Sequence, residues 1–84
     1  MPTQSAHSVD NPLVTLQGSI ERVTFHNEST GFCVLRITVK GYREVVTVIG
    51  SAASVTAGEY VECTGCWVNN LQHGQQFKTT ILKI

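Results

Sequence analysis

The 84-residue sequence predicts an all-β domain, a small five-stranded Greek-key barrel. Three observations carry that prediction. From Thr15 onward, β-branched residues fall in short runs separated by Gly and Asn, and no window of eleven repeats apolar residues at helical spacing. Five such runs follow one another, the first long and changing phase part-way. Charged residues make up only 14% of the chain, well under the usual figure of about 25%, which argues against a disordered or charged-tail protein.

Met1 to Pro12 are rich in Ser, Asn, Thr and Gln and read as a disordered tail, with the barrel domain over 13–84. The first strand, Val14 to Phe25, puts Val14, Leu16, Gly18 and Ile20 on one face before the apolar positions shift to Val23 and Phe25. A one-residue change of phase predicts a β-bulge or sharp bend, and Gly18 offers a second place for the strand to coil. His26 to Gly31 is a polar loop closed by Gly. In the second strand, Phe32 to Val39, the core face is Cys33, Leu35, Ile37 and Val39. Lys40 to Arg43 is a hairpin turn, and Glu44 to Ile49 a third strand. Ser51 to Gly58 is long enough for one helical turn or an irregular crossing, so the helix between strands three and four is reduced or absent. The fourth strand, Glu59 to Val68, alternates Val61, Cys63, Gly65 and Trp67 against the intervening residues. Asn69 to Gly74 is the last loop, and Gln76 to Ile84 the fifth strand, with no cap, Gly or polar tail after it. That abrupt end suggests a part of a longer protein. This strand order matches an OB-fold. An SH3-like barrel is the alternative, and the long first strand, which must pair at both ends to close a barrel, favours the OB arrangement.

Six basic and six acidic side chains balance, three of each in either half of the chain. A domain that grips nucleic acid alone usually shows a positive excess, because phosphate neutralisation is the main sequence-independent source of affinity. The balance therefore points to weak binding by this domain by itself. Three cysteines, with no basic-then-apolar leader, imply a reducing compartment and a cytoplasmic protein rather than a disulfide framework. No apolar run reaches the roughly 18 residues that span a membrane.

No catalytic apparatus is visible. Cys63 and Cys66 have the spacing of half a zinc ribbon or a redox pair, but no second pair is present, and on a strand residues three apart point to opposite faces. No nucleophile elbow and no phosphate-binding glycine loop occurs, so neither metal nor cofactor is expected in this segment. Barrels of this class bind single strands by stacking bases on aromatic rings while Arg and Lys follow the phosphates, over strands two and three and the loops beside them. Arg36, Arg43, Tyr42, His26, His73 and Lys78 are the candidates for such a surface. Trp67 and Phe77 fit the core better, and a solvated polar face explains Arg36 and Arg43 as well as a phosphate contact does. Apolar residues on the outer face, Val34 and Val68, leave open a docking role without DNA contact.

The run from Gly18 to Arg36 (GSIERVTFHNESTGFCVLR), with VTVIG ending at Gly50, GCWVNN from Gly65 and GQQFK from Gly74, resembles the N-terminal domain of bacterial RecD/TraA-type DNA helicases, homologues of the exodeoxyribonuclease V alpha chain. The likeness covers Thr15 to Ile84. It implies an ATP-dependent superfamily 1 helicase moving 5′ to 3′ on single-stranded DNA and serving recombination and repair. ATP, Mg²⁺ and the motor motifs would then belong to domains C-terminal to Ile84, which would also be the barrel's partners. The resemblance carries no catalytic residue onto this segment and makes it an accessory domain.

Overall fold

The computed structural model describes residues 13–84, so the tail expected over 1–12 lies outside the described residues. Five strands form a closed barrel in the order β1-β2-β3-β5-β4: β1 Val14–His26, β2 Phe32–Val39, β3 Val46–Ser51, β4 Tyr60–Asn70 and β5 Gly74–Lys83. This is the OB-fold arrangement. Neighbours pair antiparallel except β3 and β5, which meet in a short parallel ladder, Val48 to Phe77 and Ile49 to Lys78.

The long first strand closes the barrel by serving two partners. Val14 to Ser19 pairs with β4, and Gly18 to His26 pairs with β2. At the handover Gly18 passes so close to β2 that a Cβ there would lie 2.1 Å from the Thr38 carbonyl oxygen. Only Gly allows that approach.

The phase change expected in β1 occurs, as two bulges rather than one. The first lies between Ile20 and Arg22 and turns Val23 inward; the second lies between Val23 and Phe25 and turns Phe25 outward, opposite Val34. Phe25 is therefore 49% exposed instead of sharing the inner face with Val23. A further irregularity in β5 sets Thr80 outside the ladder, between Thr79, opposite Gly65, and Ile81, opposite Thr64. The Thr80 hydroxyl donates to the Thr64 carbonyl at 3.1 Å, and the Thr79 hydroxyl shares its proton between that carbonyl at 2.9 Å and the Ile81 carbonyl at 2.7 Å.

The core is Leu16, Ile20, Cys33, Leu35, Ile37, Val39, Val46, Val48, Val61, Cys63 and Phe77. The inner face read for β2 is buried at every position. Trp67 is half-buried, with its ring edge-on to Phe77 at 5.1 Å between centroids. The third strand begins at Val46, two residues later than its sequence suggests, and the fifth begins at Gly74.

No helix joins β3 to β4; the segment crosses irregularly, and Ala52 and Val55 pack against the core in its place. Ala52 is held on both sides, its amide donating to the Gly31 carbonyl at 2.8 Å and its carbonyl accepting from His26 Nε2 at 2.9 Å. The start of β4 is tied to β1 by Ile20 N to Glu59 O and Gly58 N to Ile20 O.

Candidate nucleic-acid interface

Cross-strand partners in a sheet share a face, so the register defines the outer surface of β1, β2 and β3 row by row. One row is Arg22, Arg36 and Thr47; the next is Phe25, Val34, Ile49 and, through the parallel ladder, Lys78. Phe32 stands one step further along β2, and its ring lies 6.0 Å from that of Phe25 at 55°. Three of the six basic residues thus share one surface with a pair of exposed aromatic rings. Of the five acids among the described residues, Glu59 and Glu62 are engaged elsewhere, and Glu44 lines the groove that Thr47 also lines. Glu62 accepts from Gln17 Nε2 on the β1–β4 side at 3.1 Å, and Glu59 accepts from the Thr56 amide at 2.9 Å. Glu21, in the first bulge beside Arg22, accepts from the Thr38 hydroxyl at 3.5 Å. The chain is neutral overall and its charge is unevenly placed.

A groove of about 480 Å³ runs over this surface, lined by Thr24, Val34, Arg36, Thr47, Ile49, Asn70, His73 and Gln76. It brings two of the sequence candidates, Arg36 and His73, together. Thr47 also lines a second groove of about 520 Å³, where Tyr42 packs on Trp67 at 5.8 Å beside Glu44 and Gln75. Lys78 borders the first groove through Ile49 and lines a smaller hollow with Phe32. Arg43 is exposed on the β2–β3 connection and lines neither groove. His26 belongs to the loop framework, its ring occupied by Ala52. Val34 is half-buried in the groove wall and Val68 half-buried opposite Gln76.

The β4–β5 loop at the groove edge and the β1–β2 loop are built alike. In Asn27–Gly31 the Asn27 side chain accepts from the amides of Ser29 and Thr30; in Asn70–Gly74 the Asn70 side chain accepts from those of Gln72 and His73. Both close on a left-handed Gly, φ +83° at Gly31 and +79° at Gly74. His73 is thereby fixed at the groove edge rather than left on a free loop. The repeated Asn-x-x-x-Gly spacing was the sequence signal for this. Arg22 was missed because its face depends on the bulge beside it.

Cys63 and Cys66 diverge, Cys63 into the core and Cys66 outward opposite Lys78. Burial, reinforced by Cys33 and Glu62, pushes the Cys63 thiol up to about 11, and burial also raises Cys33. Both are poor nucleophiles and metal ligands at neutral pH. Among the described residues no cluster of His, Cys, Asp and Glu could hold a metal, and no helix is long and apolar enough to cross a membrane.

Residues 13–84 match the family described as the OB-fold domain of the ATP-dependent DNA helicase YrrC. The chain belongs to that family. The match covers every strand of the barrel, so the grooves and basic rows described above are surfaces of a YrrC-type OB-fold domain. None of the curated proteins matches the chain, and none of the solved structures does.

Proposed function

We propose that this barrel is an accessory domain, over 13–84, of an ATP-dependent 5′ to 3′ DNA helicase of the RecD/TraA type, acting in recombination and repair in the cytoplasm, and that it makes a weak contact with single-stranded DNA. The observation that carries the DNA contact is the gathering of Arg22, Arg36 and Lys78 with Phe25 and Phe32 on one outer surface, beside a groove edged by His73. Exposed rings offer stacking to any base, and the cations offer contacts to the backbone. The family supports the helicase parent, and the ATP and Mg²⁺ sites of such a parent would belong to other domains. Titrating a fluorescein-labelled oligothymidylate with the 84-residue chain at low salt tests the contact. A saturating anisotropy rise that fades steeply with added salt is expected; no rise at about 1 mM protein sinks it.

A docking role is favoured by a different observation. Leu13, Tyr60 and Ile81 are exposed around β4, away from the basic rows, and suit packing against the remainder of a helicase. Replacing Tyr60 and Ile81 with Ser should then leave oligonucleotide binding intact while loosening attachment to the motor domains.

A further inference from the structure

The first bulge of β1 decides which side chain faces Arg36. Ile20 lies opposite Ile37, so an unbroken ladder would place Glu21 opposite Arg36, an attractive pair across the strands. The inserted residue shifts the register, and Arg22 stands opposite Arg36 instead. Directly opposed side chains have Cβ atoms about 5 Å apart, and like charges in that position destabilise a sheet. Both guanidinium-bearing residues are exposed. A fold that places two arginines this way holds a site whose repulsion is relieved by an anion between them. Guanidinium forks match phosphate oxygens in plane and spacing.

The next outward row supplies what a nucleotide needs besides its phosphate. Phe25 and Val34 follow Arg22 and Arg36, about 7 Å along the strands, and Phe32 leans on Phe25. We infer that Arg22 and Arg36 form a phosphate clamp for single-stranded DNA, with the Phe25–Phe32 pair stacking the adjoining base. This rests on the DNA contact proposed above. It places the strand across β1 and β2, nearer the bulge than the β2–β3 turn that carries Tyr42 and Arg43. Glu21, the acid beside the clamp, then lowers its hold on phosphate.

The test uses the 84-residue chain and an oligothymidylate of about 16 nucleotides, the upper site size for one such barrel. Affinity is read by anisotropy over a salt series, and the thermal midpoint of each free protein is measured beside it. Arg22→Gln and Arg36→Gln should each weaken binding roughly three- to tenfold and reduce the salt slope by about 0.7. Each should also raise the midpoint of the free domain by about 1–4 °C, since a like-charge pair is removed. Glu21→Gln should tighten binding, and Lys83→Gln, on the far side opposite Glu62, should leave it unchanged. Normal binding by Arg22→Gln while Arg36→Gln is impaired overturns the clamp and leaves the broader DNA contact standing. Midpoints that fall in both arginine variants overturn it too, because the arginines would then be holding the sheet. A wild-type chain that binds no oligonucleotide removes both readings.

Discussion

Gly65→Ala tests how closely β4 and β5 pack. Gly65 sits in β4 against β5, where an added Cβ would lie 2.0 Å from the Lys78 carbonyl oxygen and 2.6 Å from Thr79 Cα. Ordinary contact begins near 3.4 Å, so β4 and β5 must part by about 1 Å or more. Overpacking of this kind costs about 1–3 kcal/mol. The parting also weakens the bonds from the Thr79 and Thr80 hydroxyls to the Thr64 carbonyl, at about 1 kcal/mol each. Together these give about 3–5 kcal/mol, against about 4–11 kcal/mol of total stability for a domain of this length. Thermal unfolding followed by circular dichroism should show a midpoint lowered by about 15 °C or more, if the variant folds at all. The near-ultraviolet signal of Trp67, two residues along β4, should weaken with it. A midpoint within about 3 °C of wild type would refute the claim that β4 and β5 approach too closely at Gly65 to admit a side chain.

Thiol labelling under native conditions at pH 8 should modify Cys66 alone, with Cys33 and Cys63 reacting only in denaturant; mass spectrometry of the labelled peptides reads this directly. The raised thiols also give an alkaline signature. In the unfolded chain they ionise near 9.0 while Cys63 in the folded domain stays protonated to about 11. Their contribution to stability is therefore complete below pH 9 and declines as pH rises toward 11, which urea midpoints across that range should follow; a rising midpoint would contradict it. His26→Phe removes the bond to Ala52 and should cost about 0.5–1.5 kcal/mol, with faster amide exchange at Ala52. Asn70→Ala should cost about 1 kcal/mol by freeing the amides of Gln72 and His73, and amide exchange at those two residues should rise.

Strict alternation made β2 legible, because a strand with one face in the core and one in solvent writes its burial into every second residue. Phe32 to Val39 follows that pattern without exception. The bend in β1 was legible as a change of phase, yet its consequence was not. One bulge or two leaves Val23 inward in either case, and only the pairing with β2 shows that a second bulge turns Phe25 to the solvent. The same uncertainty hid Arg22, whose orientation is set by the extra residue beside it. Arg36 was readable because β2 is regular, and its meeting with His73 was not, since it depends on how the β4–β5 hairpin leans over the sheet. Trp67 reads as core from its alternation with Val61 and Cys63; it is half-buried, edge-on to Phe77 and in tilted contact with the exposed Tyr42. Net charge gives the balance of the chain and not where its charges lie. The register puts Arg22, Arg36 and Lys78 on the β1–β2–β3 surface, while Glu62 stands opposite Lys83 on the β4–β5 side.

On the proposed function, this outer surface of β1, β2 and β3 is where the domain meets single-stranded DNA. Amide chemical shifts of the ¹⁵N-labelled 84-residue chain, followed as oligothymidylate is added, test it residue by residue. Shifts should concentrate at Arg22, Phe25, Phe32, Arg36, Thr47 and His73, and fade as salt is raised. Shifts gathered instead on Thr15, Gln17, Glu62 and Thr64 would contradict it.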